Sequence, residues 1–81
     1  MYSTDYKALL RKSYRNKGLS LLLSSNPEEA IIYLDKALSL DPNDYKAIMH
    51  KANAYSSMEL HKKAITLYDK IIDALEADWG K

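Results

Sequence analysis

The chain contains no cysteine and no phenylalanine, and only two glycines and two prolines punctuate its 81 residues. Without cysteine there can be no disulfide framework, no thiolate metal site and no cysteine nucleophile, and the chain suits a reducing compartment. Apolar runs such as Leu21-Leu22-Leu23 fall far short of the roughly 20 residues that a membrane-spanning helix needs. The opening Met1-Tyr2-Ser3-Thr4-Asp5 lacks the basic-then-apolar pattern of a secretory leader. A cytoplasmic protein with no membrane role is the expectation. A net charge of +1 gives the whole chain no strong electrostatic bias towards nucleic acid or lipid. β-Branched residues are few and never alternate with polar ones, which argues against strands.

What is present is helical material. With so little glycine and proline, long helices are expected between the breaks. A first helix is predicted from about Asp5 to Leu23, with Thr4 or Asp5 as its cap and Leu10, Tyr14 and Leu21 on one face behind Tyr6. Ser24-Ser25-Asn26-Pro27 ends it; Asn26 suits the cap of a second helix, and Pro27 its first turn, where no amide donor is needed. That helix reaches about Leu40, with Ala30, Ile31, Leu34, Ala37 and Leu38 inward. Asp41-Pro42-Asn43-Asp44 is the clearest break, and Asn43 or Asp44 can cap a third helix over Tyr45 to Ser57 with Ile48, Ala52 and Tyr55 inward. A turn at Met58-Glu59-Leu60-His61 carries neither glycine nor proline. A fourth helix follows to about Asp78, its apolar positions being Ala64, Ile65, Tyr68, Ile71, Ile72 and Leu75.

The two halves repeat. Ala30-Ile31-Ile32-Tyr33-Leu34-Asp35-Lys36-Ala37-Leu38 aligns with Ala64-Ile65-Thr66-Leu67-Tyr68-Asp69-Lys70-Ile71-Ile72 at an offset of 34, which also pairs Lys12 with Lys46, Lys17 with Lys51 and Gly18 with Ala52. A helix–turn–helix unit of this period resembles the tetratricopeptide repeat. The family's aromatic, Leu-Gly and Tyr positions fall on Tyr14, Lys17-Gly18 and Leu21, then on Ile48, Lys51-Ala52 and Tyr55. Its Ala, aromatic, Ala and Pro positions fall on Ala30, Leu34, Ala37 and Pro42, then on Ala64, Tyr68, Ile71 and Glu76. Lysines at 17 and 51 and Glu76 depart from the pattern. The expected fold is all-α: two antiparallel helix–turn–helix hairpins stacked as a short α-solenoid. It forms one domain over 1–81, with repeat one at about 11–44, repeat two at about 45–78, and residues 1–10 extending the first helix.

The resemblance implies a concave groove lined by the first helix of each hairpin. Residues 1–26 carry a balance of +4, residues 27–44 of −4, residues 45–63 of +3 and residues 64–81 of −2, so that groove would be basic. Its residues would be Lys12, Arg15, Asn16, Leu19, Lys46, Met49, His50 and Asn53, and its ligand an acidic or carboxylate-ended peptide. Charged helix faces also arise from simple solvation. Some chaperone-binding members hold a terminal carboxylate with a lysine–asparagine clamp; the places matched here are Arg15, Leu19 and His50, where only the charge is kept, which disfavours that reading. Nucleic acid is disfavoured too, because Tyr14 and Tyr55 are needed in the core and the domain is not basic overall.

Nothing in the residues points to catalysis or a cofactor. His50 and His61 stand eleven apart with no acidic residue at metal-ligand spacing, Gly18 and Gly80 form no phosphate loop, and the serines sit near turns. The reading is a non-enzymatic protein-interaction module, a scaffold or adaptor. Its alternative is a self-associating module, or part of a longer array. Arrays need about three repeats and a polar end, whereas the fourth helix offers Tyr68, Ile71, Ile72 and Leu75 with Trp79 behind. Those residues would join a second copy or a further segment, unless the helix bends back or Trp79 folds over its own stripe.

Overall fold

The structure, a computed structural model, describes residues 2–80 and gives no account of the side chains of residues 2–4. Four helices follow in order: α1 (Tyr2–Leu23), α2 (Pro27–Leu40), α3 (Tyr45–Ser57) and α4 (His61–Trp79). No strand occurs among the described residues. α1 pairs with α2 and α3 with α4 as antiparallel hairpins, and α3 packs on both helices of the first hairpin. The result is the short two-hairpin solenoid expected.

α1 begins three residues before the predicted start. No proline or glycine interrupts residues 2–5, so Thr4 and Asp5 lie in the first turn rather than capping it, where the Asp5 carboxylate suits the positive end of the helix dipole. α1 has 22 residues against 14 in α2, so its first turns overhang. That is why Tyr6 and Leu10, expected on the inner face, are exposed, whereas Tyr14 and Leu21 pack on the core.

The two hairpin turns are copies. Asn26 N–H donates to Leu21 carbonyl (2.8 Å) and Ser25 N–H to Leu22 (3.1 Å); Leu60 donates to Tyr55 (2.9 Å) and Glu59 to Ser56 (2.9 Å). These paired bonds close each helix in a Schellman motif. It requires a left-handed residue, and Ser25 (φ 65°) and Glu59 (φ 63°) take that role without being glycine. Asn26 sits at the N-cap of α2, but its side chain makes no capping bond, donating instead to Ser24 carbonyl. Pro27 occupies the first turn as expected.

Ala30, Leu34, Ala37 and Ala47 form the central cluster, against which Tyr14, Leu21, Leu22 and Leu38 pack. The small residues set the interhelix distance. A Cβ on Gly18 would lie 2.7 Å from Leu34 Cγ and 3.2 Å from Ala30 carbonyl oxygen, so α1 and α2 approach as closely as they do only because position 18 is glycine. α3, packed between the first hairpin and α4, buries Ala47, Ile48, Ala52 and Ala54.

Candidate functional site

The helices expected to line the groove, α1 and α3, meet where Arg11 and Arg15 in the middle of α1 reach the start of α3, and the junction is built around Asp44. This side chain is 2% exposed. Its Oδ1 accepts the Ala47 amide of the first turn of α3 at 3.1 Å, which fixes the start of that helix. Arg15 Nη1 donates to both oxygens at 3.0 Å, and Arg11 Nη1 donates to Oδ2. Burial pushes the Asp44 carboxyl upward, but the Ala47 amide, Arg15 and Arg11 outweigh it and hold the pKa below its ordinary value. One carboxylate thus bolts α1 to α3 and neutralises one of two arginines.

Arg15, read from the sequence as an open groove cation, is therefore committed to Asp44. Lys12 and Lys46 remain exposed and pair with no carboxylate among the described residues. Asn16 is exposed, Leu19 half-buried and Met49 exposed. His50 is half-buried, and its Nδ1 is enclosed with no hydrogen-bond partner. Burial, then the positive charge of Arg15 and Lys46 against the opposing pull of Asp44, lowers its pKa. Asn53 Oδ1 accepts the Tyr68 hydroxyl, tying α3 to α4. At the 34-residue offset, Leu19 corresponds to Asn53 rather than to His50.

The two lysines that depart from the repeat pattern find partners that the sequence did not reveal. Lys51 Nζ lies 2.7 Å from Asp35 Oδ1, bridging α3 to α2, and Lys17 Nζ lies 4.1 Å from the centre of the Tyr33 ring. Their charges thus meet a carboxylate or an aromatic face within the fold.

On α4, Ile71, expected on an exposed self-association surface, is only 5% exposed and lies beside α3 residues at the floor of a notch. Ile65, Ile72, Leu75 and Trp79 are exposed and Tyr68 is half-buried, forming one stripe at spacings of three and four. Trp79 is 90% exposed and does not fold over that stripe. Beside the stripe, a notch of about 430 Å³ is lined by Tyr45, Lys46, Met49, His50, Ile71 and Leu75. No group of three or more acidic or histidine side chains among the described residues is arranged to hold a metal. No described helix is long and apolar enough to cross a membrane.

Two antiparallel helical hairpins that repeat at 34 residues and pack side by side define a helical-repeat protein. The chain belongs to the tetratricopeptide-repeat family, whose models match residues 12–44 and residues 45–74. Over 58 residues it is 41% identical to the serine/threonine-protein phosphatase T of Trypanosoma brucei brucei, covering 72% of this chain and 12% of that protein. Over 61 residues it is 33% identical to the DnaJ homolog subfamily C member 7 homolog of Schizosaccharomyces pombe, covering 75% and 13%. The chain thus spans about an eighth of the length of the curated relatives it matches. No solved structure matches it significantly. The repeat makes it a protein–protein interaction module, and the likeness to the phosphatase lies in this repeat part.

Proposed function

We propose that the module binds an acidic or carboxylate-ended peptide on the α1–α3 face, acting as a non-catalytic scaffold or adaptor in the cytoplasm. The observation that supports this is the pair Lys12 and Lys46. They occupy equivalent positions on neighbouring helices and are exposed without an internal carboxylate. Arg11, Arg15 and Asp44 add a further net positive charge beneath them. The depressed pKa of His50 has the same origin in part, since Arg15 and Lys46 disfavour a third cation there. Both relatives place comparable sequence within a much longer chain, in keeping with a portable binding unit.

Titration of a fluorescent acidic peptide bearing a free carboxyl terminus tests the reading. Affinity should fall as salt rises, because exposed charges are screened over about 10 Å at 0.1 M. It should fall at least about tenfold in the double variant Lys12→Glu/Lys46→Glu, since two attractive contacts become repulsive. Salt-independent binding of an uncharged apolar peptide would contradict it.

A second reading, self-association, is favoured by the exposed Ile72, Leu75 and Trp79, which continue the stripe from half-buried Tyr68. Molecular mass measured across concentration separates the two.

A further inference from the structure

The face of the first hairpin that carries α3 has a copy on the second hairpin, and that copy is open. The 34-residue offset maps each contact of the covered face onto the open one. Asp35, which receives Lys51, becomes Asp69, which is exposed. Leu38, packed against the central cluster, becomes Ile72, 48% exposed. Arg11 and Arg15, which hold Asp44, become Tyr45 and Met49.

A helix of matching pattern is present in the same chain. Asp44, the cap of α3, and Ala47 and Lys51 within it meet the first hairpin, and Ala54 continues their stripe; Asp44, Ala47 and Ala54 are buried. Their counterparts are Leu10, Ser13, Lys17 and Ser20 on α1. These lie at spacings of three and four on a single stripe, and all four are exposed.

We infer that α1 of one copy docks on the α3–α4 face of a second copy, in the register that α3 takes on the first hairpin. This rests on the self-association reading and adds the docking helix and its register. Three features of the transplanted contacts agree. Lys17 meets Asp69, repeating Lys51 on Asp35; its present contact is with an aromatic face, which its flexible stem can exchange. The buried ion cluster changes wholly to uncharged groups, because Leu10 replaces Asp44 while Tyr45 and Met49 replace the arginines. No charge is left unpaired there. Ser13, already donating its hydroxyl to Leu9 carbonyl, brings no unsatisfied group when covered. Ala37 opposite Ala47 becomes Ile71 opposite Ser13, so the docked helix sits farther out at that point than α3 does. Charge agrees over the longer range: the donor helix is basic, and α4 presents Asp69, Asp73 and Glu76. The two faces differ, so the contact is head-to-tail and propagates beyond a dimer.

Sedimentation of the 81-residue chain from about 10 µM to about 1 mM provides the test, because mass action exposes a weak homotypic contact over that range. The average mass should climb past that of a dimer. Leu10→Glu, at an exposed site outside the core, and Ile72→Lys should each weaken association at least about tenfold. Mixed together, those two variants should form a one-to-one heterodimer, since each keeps one intact face. Lys17→Glu and Asp69→Lys should each weaken association, and the double swap should restore it. A strict monomer throughout would overturn both this proposal and the self-association reading. Association that ignores Leu10→Glu and shows no charge-swap rescue would leave self-association standing and overturn the α1 register.

Discussion

The two hairpins carry the same repeat, yet they are not equivalent in burial. In the first, Gly18 lets Leu34 sink to full burial, and α3 closes over the outer face of α2. In the second, Ala52 takes the glycine's place, and Tyr68, the counterpart of Leu34, remains half-buried with its hydroxyl held by Asn53. Beyond it, Ile72, Leu75 and Trp79 stay in water. Burial of a repeat is thus a property of its neighbours as much as of its own residues.

The largest loss is expected at the best-packed point of the first hairpin. Leu34→Ala should cost about 2–5 kcal/mol, the usual loss when a fully enclosed leucine is emptied. Tyr68→Ala should cost less. Chemical denaturation of the two variants checks the order, and equal losses would show that the hairpins are packed alike.

Next comes the bolt between the hairpins. Asp44→Ala should cost about 3 kcal/mol, because it strands two arginines and removes the cap of α3. The wild type also has a pH signature. The folded pKa of Asp44 lies below its unfolded value near 3.8, so its contribution is fully present above that value and is lost as pH falls through the folded pKa. Asp44→Asn should remove this part of the acid dependence, read as a flatter melting-temperature profile below about pH 4.

Smaller substitutions sharpen the contrast at position 18 and its equivalent. Gly18→Ala should cost about 1–3 kcal/mol, since the added methyl meets Leu34, which has no free space to enter. Ala52→Gly should cost about 1 kcal/mol, mostly helix propensity. Thermal melts of the pair check both figures. The smallest effect has the opposite sign. Glu59→Gly should stabilise the protein by about 1 kcal/mol by relieving a left-handed residue, and Ser25→Gly should do likewise.

Helices were legible wherever a breaker stood. Pro27, Pro42 and the capping residues around them mark α2 and α3 within the sequence, whereas Thr4 and Asp5 suggested a cap that α1 does not use because nothing before them stops the helix. The site was less legible. Arg15 was visible as a cation, but its partner lies 29 residues away, and the local role of Asp44 as a cap concealed its second role. Lys17 and Lys51 read as departures until Tyr33 and Asp35 came beside them. Ile71 and Ile72 are neighbours about 100° apart on one helix, and the broad apolar stripe of α4 could not say which turns inward. Packing against α3 decides it.

The second hairpin repeats the first but leaves exposed the face that α3 covers there. Native-state hydrogen exchange at low and high protein concentration tests this most directly, because exchange reports local opening and its relief by a partner. α3 should exchange slowest at every concentration, and the C-terminal half of α4 should exchange fast when dilute and more slowly as concentration rises. An α4 protected as well as α2 in dilute solution, with no dependence on concentration, would contradict it.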